Sequence, residues 1–106
     1  MEKQLKIENV QSMRGKEYNG WMIYTTHESN DYFEFLLKKS DGSENHVSVR
    51  LYKNIRQTRI RVKLMYREFK NVIWDENVSL IVIKDKLNFW NIIANRIEIA
   101  HIKYNS

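Results

Sequence analysis

The sequence predicts an α+β fold, an antiparallel sheet of about five strands packed against a C-terminal helix. Two patterns lead to this prediction. Apolar residues alternate with a period of two over residues 33–37, 47–51 and 60–64, as in strands with one buried face. The stretch from Lys86 to about Tyr104 has polar residues at helical spacing and is otherwise mostly apolar. A chain of 106 residues, 42% of them hydrophobic, supports one core, so residues 1–106 are predicted to form a single domain.

The clearest strand pair flanks the turn signal at Asp41 and Gly42. A two-residue loop would mix polar and apolar side chains on each face, so a longer loop is predicted. In that register the apolar pairs are Phe33 with Leu51, Phe35 with Val49, and Leu37 with Val47. The other face then pairs Glu34 with Arg50 and Tyr32 with Tyr52, which are favourable cross-strand neighbours.

A third strand is predicted where apolar and basic residues alternate. Its apolar side comprises Ile60, Val62 and Leu64, and its basic side comprises Arg59, Arg61 and Lys63. If this strand pairs with residues 47–52 and shares their buried face, its basic side lies on the same outer face as Arg50 and Tyr52. Side chains two residues apart on a strand stand about 6.6 Å apart. The sequence therefore predicts a grid of cations, with tyrosines between them, on a rigid sheet.

The remaining strands are less regular. Residues 21–26 are apolar enough for one more strand, whereas residues 1–16 fit a helix or a strand equally well. Residues 72–74 and 80–83 are apolar runs on either side of residues 75–77, which predicts a second hairpin. Its second strand would be buried on both faces.

The C-terminal helix is predicted from Lys86 to about Tyr104, with Asp85 as its N-cap. Asn88, Asn91, Asn95 and Glu98 form one polar stripe. The apolar residues cover an arc wider than one sheet face needs, so part of the helix is a candidate interface for a homo-oligomer. A strand over residues 97–102 is the alternative.

Basic residues are concentrated in one segment of a chain whose net charge is +5. The segment from Arg50 to Lys70 holds eight basic residues and a single acidic one, Glu68. Such a block repels itself unless an anionic partner or nearby acidic groups compensate it. Tyrosines beside arginines favour the binding of single-stranded nucleic acid, and an acidic protein surface is the alternative partner. The predicted binding residues are Arg50, Tyr52, Arg59, Arg61, Lys63 and Arg67.

Several classes of protein are disfavoured by composition. The chain has no cysteine, which excludes disulfides, thiolate catalysis and cysteine-ligated metal sites. No run approaches the roughly 20 apolar residues of a membrane helix, and the first residues lack the apolar stretch of a signal peptide. We therefore expect a cytoplasmic protein without membrane association.

Catalytic signatures are weak. His27, His46 and His101 are too scattered to form a metal site, and no cofactor is predicted. No serine lies in a nucleophile motif. Glu68 and Lys70 have the spacing of metal-dependent nucleases, which also need an upstream acid such as Asp31 or Asp41, but this spacing is common by chance. We predict a protein that is not an enzyme, with nuclease activity as the alternative.

The stretch from Leu80 to Ile97, LIVIKDKLNFWNIIANRI, resembles the strand-then-helix end of small phage anti-CRISPR proteins that inhibit type II-A CRISPR effector nucleases. The resemblance implies a non-catalytic inhibitor in the cytoplasm of a host bacterial cell. Such an inhibitor binds the effector nuclease or interferes with the loading of its guide RNA. A related subgroup promotes guide trimming, so the resemblance leaves hydrolysis open and identifies no catalytic residue.

A second stretch, Arg59 to Arg67 followed by residues 80–83, is similar to the basic sheet of RelE-type toxins, which cleave ribosome-bound messenger RNA. Those toxins place helices before the sheet. Residues 21–52 alternate as strands instead, so this resemblance ranks lower.

Overall fold

The computed structural model describes residues 3–42, 45–67 and 70–105 and contains one six-stranded antiparallel sheet with a C-terminal helix. This confirms the predicted α+β class, with one strand more than expected. The strands follow one another in sheet order: β1 (Glu17–Tyr18), β2 (Trp21–Glu28), β3 (Tyr32–Lys39), β4 (His46–Tyr52), β5 (Arg59–Tyr66) and β6 (Asn71–Ser79). A 3-10 helix (Val10–Met13) precedes them, and α1 (Leu80–Lys84) and α2 (Lys86–Asn105) follow.

The predicted register of the hairpin formed by β3 and β4 is confirmed. Phe35 lies opposite Val49, Glu34 opposite Arg50, and Tyr32 opposite Tyr52. The reason is the alternation itself, because a shift of one residue would turn every apolar side chain of this hairpin towards water. Phe35 and Val49 are completely buried.

The third strand and its parity are also confirmed. β5 pairs antiparallel with β4, and Arg50 lies opposite Lys63 while Val49 lies opposite Leu64. Opposite residues in an antiparallel pair project from the same side of the sheet. The apolar side chains of both strands therefore face α2, and the basic ones face away from it.

The second hairpin was wrongly predicted. Residues 71–79 form one strand, β6, at an edge of the sheet, and residues 80–84 form a helix instead of a second strand. Asp75 is tolerated within β6 because its carboxylate accepts two hydrogen bonds from Arg61 of the neighbouring strand β5. The Ser79 hydroxyl accepts a hydrogen bond from the Ile81 amide at 3.3 Å and caps α1. The side chain of Ile81 is 83% exposed, so this apolar run is not a buried strand.

The C-terminal helix is confirmed, and the alternative of a strand over residues 97–102 is wrong. The Asp85 carboxylate accepts a hydrogen bond from the Asn88 amide at 3.4 Å, as expected of an N-cap. α2 is also joined to the sheet through Glu98, which accepts hydrogen bonds from Trp21 Nε1 at 2.7 Å and from Lys39 Nζ at 2.8 Å. The hydrogen bond from Lys39 lowers the pKa of Glu98, and burial opposes this effect only in part.

The apolar arc of α2 is only partly covered by the sheet. Phe89, Trp90, Ile93 and Ile97 are buried against it, whereas Leu87 is exposed. Outside that arc, Ile99 and Ile102 of α2 are exposed as well. Homo-oligomer formation through this helix stays a prediction.

The N-terminal part of the chain lies along the connection between β4 and β5. The Leu5 amide donates to the Lys53 carbonyl oxygen at 2.7 Å, and the Ile55 amide donates to the Lys3 carbonyl oxygen at 3.0 Å. The predicted strand over residues 21–26 is β2, which extends to Glu28. Across the described residues, every helix is too short or too polar to cross a membrane.

Candidate nucleic-acid interface

The open face of the sheet, on the side away from α2, carries Arg50, Tyr52, Arg61 and Lys63 as predicted. The registers of β4 with β5 and of β5 with β6 place these side chains in one layer, since Arg50 lies opposite Lys63 and Lys63 lies opposite Asp75. The register of β3 with β4 brings the carboxylate of Glu34 into this layer, and the register of β5 with β6 brings that of Asp75. The cation grid expected from the sequence is therefore partly neutralised from within.

Arg50 is held by a half-buried ion pair. Its Nε donates to Glu34 Oε2 at 2.8 Å, and the Ser48 hydroxyl donates to the same oxygen at 3.0 Å. Glu34 is only 9% exposed, so its carboxylate is stabilised mainly by these two donors. Burial alone would lower the pKa of Arg50, but the hydrogen bonds with Glu34 and Tyr52 outweigh it and raise that pKa. Arg50 therefore has a structural role.

Arg61 is paired as well, but at the surface. Its Nε and Nη2 donate to the two carboxylate oxygens of Asp75 at 2.7 and 2.6 Å, which is a bidentate geometry. This hydrogen bonding raises the pKa of Arg61 and lowers the pKa of Asp75, and the charge of Lys63 lowers the latter further. Because both side chains of the pair are partly exposed, a phosphate can compete with Asp75 for the guanidinium.

The tyrosines of the open face are less available for stacking than the sequence predicts. The guanidinium of Arg50 lies 4.4 Å from the ring centroid of Tyr32, and that of Arg61 lies 5.0 Å from the ring centroid of Tyr52. The two rings meet edge to face at 5.5 Å. Cation–π contacts therefore already occupy part of each ring surface.

The arginine cleft lies at the end of the open face, where the connection between β4 and β5 meets β6. It is an open cleft of about 950 Å³, lined by three arginines, one tyrosine and three amide side chains: Arg56, Arg59, Arg61, Tyr52, Asn54, Gln57 and Asn77. None of these seven lining residues is acidic. The cleft therefore combines positive charge with groups that can both donate and accept hydrogen bonds.

Two arginines of the cleft are placed by a tight turn. The Arg56 amide donates to the Arg59 carbonyl oxygen at 2.9 Å, and the Arg59 amide donates to the Arg56 carbonyl oxygen at the same distance. The turn residues Gln57 and Thr58 have positive φ angles of 51° and 63°. This conformation costs energy for a β-branched residue such as Thr58, and asparagine or glycine is usual there. The turn fixes Arg56 and Arg59 opposite each other despite that strain.

These two arginines lack acidic partners in the described part of the chain. Arg59 Nη1 donates weakly to the Asn77 carbonyl oxygen at 3.3 Å. The Arg56 side chain forms no hydrogen bond or ion pair with any described residue, and both arginines are exposed. Arg56 was absent from the predicted binding set because it lies outside the alternating strands. The excess of basic residues in the segment from Arg50 to Lys70, which contains Arg56, was the sequence signal that could have identified it.

Arg67 is placed apart from the other predicted binding residues. It follows β5 at the end opposite to Arg59, so about 26 Å of strand separates the two positions. Its Nη2 donates to the Tyr104 carbonyl oxygen at 3.2 Å, near the end of α2. A cation at this position stabilises the carbonyl end of the helix, so Arg67 has a structural role.

No metal centre is present in the described residues, which contain no cluster of three or more histidine or acidic side chains. His101 Nδ1 and the Tyr66 hydroxyl form a part-buried hydrogen bond of 2.6 Å. His101 therefore contributes to the contact between α2 and β5. Glu68, the carboxylate of the candidate nuclease motif, lies outside the described residues.

Comparisons with protein-family models, with curated proteins and with solved structures found no match to this chain. The functional argument therefore rests on the geometry of the open face and the arginine cleft.

Proposed function

We propose that this protein is a non-catalytic binding protein whose arginine cleft holds the phosphates of single-stranded RNA. The observation that carries the proposal is the grouping of Arg56, Arg59 and Arg61 around one open cleft without an acidic lining residue. Arg61 is paired with Asp75, but Arg56 and Arg59 have no acidic partner among the described residues, and like charges placed together in this way repel each other. An anionic ligand would remove that repulsion.

The side chains of the cleft favour phosphate as the anion. A guanidinium presents a planar fork of donors that matches two phosphate oxygens. Asn54, Gln57 and Asn77 add amide groups, which can donate to and accept from base edges. Base edges are accessible in single strands but not in the deep major groove of an RNA duplex. Single-stranded RNA uses both sets of groups, whereas an acidic protein surface needs only the charges.

The resemblance of residues 80–97 to anti-CRISPR proteins suggests a guide RNA, bound alone or within a CRISPR effector nuclease, as the natural ligand. Only the helical half of that stretch has the expected structure, because residues 80–84 form a helix instead of a strand. We therefore propose RNA binding in general, and a guide RNA is to be titrated beside the short RNA of mixed sequence in the test below.

The central test reverses the charge of the two cleft arginines that have no acidic partner. In the variant Arg56→Glu/Arg59→Glu, two charge-assisted contacts become repulsive, so the affinity for a short RNA of mixed sequence should fall by about a hundredfold. The slope of log K against log salt should become shallower by about 1.4, since each phosphate contact on a single strand contributes about 0.7. Fluorescence anisotropy over a salt series measures both quantities.

The matched control is Lys16→Glu/Lys70→Glu, which changes the net charge by the same amount at exposed positions just before β1 and β6, outside the arginine cleft. It should retain most of the affinity. An equal loss in both variants would indicate binding through overall charge, and unchanged binding in the cleft variant would contradict the assignment to the cleft. Circular dichroism establishes that each variant is folded.

The catalytic alternative has its own test. Pure protein is incubated with RNA and with DNA, with and without magnesium, and the products are separated on a denaturing gel. We expect the nucleic acid to remain intact. Cleavage that is lost in the variant Glu68→Gln would overturn the non-catalytic proposal and support the nuclease.

A further inference from the structure

A second cavity, distinct from the arginine cleft, lies between the N-terminal segment and the junction of α1 and α2. Its volume is about 410 Å³, and its walls are formed mainly by apolar and aromatic side chains: Leu5, Ile7, Met13, Ile83, Phe89 and Trp90. A volume of 300 to 1,000 Å³ with mostly apolar walls is typical of sites for small molecules. We call this cavity the lysine-rimmed pocket.

The polar lining of this pocket is dominated by one charge. Lys6, Lys84 and Lys86 line it together with a single acidic residue, Glu8. All three lysines are exposed, and none has an ion pair with another described residue. Lys39, Lys53, Arg50 and Arg61 elsewhere in the chain all have carboxylate partners. The rim of the pocket is therefore a place where an external anion would be stabilised.

The wall of the pocket is held in place by ring packing. Trp90 contacts the rings of Phe35, Phe89 and Tyr18 at centroid distances of 4.9, 5.5 and 5.8 Å. These contacts belong to the apolar core, so the inner wall is rigid. The outer wall is the segment of Leu5 to Glu8, which has no regular secondary structure and is hydrogen-bonded through the Leu5 amide to Lys53, just after β4. This arrangement forms an open apolar groove between a rigid, mostly buried floor and one short segment.

We propose that the lysine-rimmed pocket binds an amphipathic anion, a medium-chain aliphatic carboxylate, with its chain in the cavity and its carboxylate at the lysines. At about 30 Å³ for each water-sized group, the volume corresponds to roughly fourteen such groups, which accommodates the carboxylate and a chain of about ten to twelve carbon atoms. The apolar walls supply the free energy of chain burial, and the lysines select an anionic head group. This site is independent of RNA binding, because none of its lining residues belongs to the arginine cleft.

The test is a titration of the intact protein with octanoate, decanoate and dodecanoate below their micelle concentrations, followed by NMR. The Trp90 indole signal should shift and saturate, while those of Trp21 and Trp74 should not. Burial of each additional pair of methylene groups contributes about 1.6 kcal/mol to the free energy of binding. The affinity should therefore rise about tenfold per step until the pocket is full. Absence of a saturating shift at Trp90, or an affinity independent of chain length, would overturn the proposal.

Two controls separate the chain from the head group. Decanol has the same chain without the charge and should bind several-fold more weakly than decanoate. The variant Lys84→Gln/Lys86→Gln leaves Lys6 as the remaining lysine of the rim and should lower the affinity for decanoate towards that of decanol, whereas Lys16→Gln/Lys70→Gln, at exposed positions outside the pocket, should leave it unchanged. Equal binding of decanol and decanoate to the wild-type protein would contradict the role of the lysines.

A third variant tests the location of the chain. Ile83→Phe adds a ring to the lining of the cavity and should abolish chain-length-dependent binding. Filling an existing cavity does not destabilise a protein as overpacking does, so the midpoint of urea unfolding should be retained or raised. Retained decanoate binding in a folded Ile83→Phe protein would place the ligand elsewhere and overturn the proposal.

Discussion

The centre of the open face and the arginine cleft at its end use the same residue type in opposite ways. Arg50 at the centre is tied to a carboxylate that is only 9% exposed, whereas Arg56 and Arg59 at the end lack acidic partners in the described part of the chain. Arg61 lies between these situations, in a surface pair with Asp75. A count of basic residues therefore overstates the size of a binding surface. The partners of each guanidinium decide which arginines are available to a ligand.

The largest expected effect tests whether Arg50, at the centre of the open face, stabilises the fold. Glu34→Ala leaves the half-buried guanidinium of Arg50 and the buried Ser48 hydroxyl without their acceptor. Removing one partner from a buried pair costs about 3 kcal/mol, which should appear as a reduced free energy of unfolding in urea. Asp75→Ala is the control, since the side chains of Arg61 and Asp75 are 47% and 32% exposed, and loss of this surface pair should cost less than about 1 kcal/mol. Equal losses in both variants would mean that burial does not distinguish the two pairs.

The second effect concerns a paired charge on the opposite side of the sheet. Glu98→Gln removes the charge that accepts from Lys39 and Trp21, and should cost about 2 kcal/mol at neutral pH. The pKa of Glu98 is lowered in the folded protein, so its contribution is present above the ordinary value of 4.5 and is lost as the pH falls through the lower folded pKa. Unfolding measured between pH 3 and pH 7 should thus show a shallower acid limb in the variant. Glu76→Gln, at an exposed site of β6, is the control for the loss of one carboxylate.

The third effect tests the strain in the turn that places Arg56 and Arg59. Glycine adopts the positive φ of position 58 without the steric cost that threonine incurs, so Thr58→Gly should stabilise the protein by about 1 kcal/mol. RNA affinity should change by less than a factor of about two, because the two backbone hydrogen bonds of the turn remain. Thermal unfolding and anisotropy measure the two quantities. Destabilisation by glycine would show that the Thr58 side chain stabilises this conformation.

The smallest expected effect on stability comes from a variant that tests whether Arg61 is available to RNA. Asp75→Asn retains the shape of the side chain but removes the charge that occupies Arg61, at a cost of less than about 1 kcal/mol because the pair is partly exposed. The freed guanidinium should raise the affinity for RNA about threefold to tenfold and steepen the salt slope by about 0.7. Unchanged affinity would mean that RNA does not reach Arg61, and the cleft would then end at Arg59.

Local alternation carried most of what could be predicted about the sheet. Phe33, Phe35 and Leu37 have one register with residues 47–51 that buries all of them, so pairing and parity followed from the sequence. The prediction of a hairpin over residues 72–83 was wrong for a reason that alternation does not reveal. Its central acid, Asp75, looks like a turn residue, and the partner that makes it acceptable in a strand lies on β5, at Arg61. Such cross-strand compensation depends on the tertiary structure.

The candidate site was predictable as a face but not as a cleft. Parity placed Arg50, Tyr52, Arg59, Arg61 and Lys63 correctly on one side. The neutralising contact of Glu34 with Arg50 was implied by the predicted register of β3 and β4, whereas that of Asp75 depended on the pairing of β5 with β6, which was not predicted. The contribution of Arg56 depended on the turn at Gln57 and Thr58, which lacks the asparagine and glycine that normally identify such a turn.

The sequential strand order also has a kinetic consequence. Each strand pairs with its neighbour along the chain, so the sheet needs only short loop closures and can grow one hairpin at a time. α2 is different, since its hydrogen bond from Trp21 to Glu98 joins residues 77 positions apart. We expect the helix to dock after the rate-limiting step. Glu98→Gln should therefore accelerate unfolding and leave the refolding rate nearly unchanged in stopped-flow measurements.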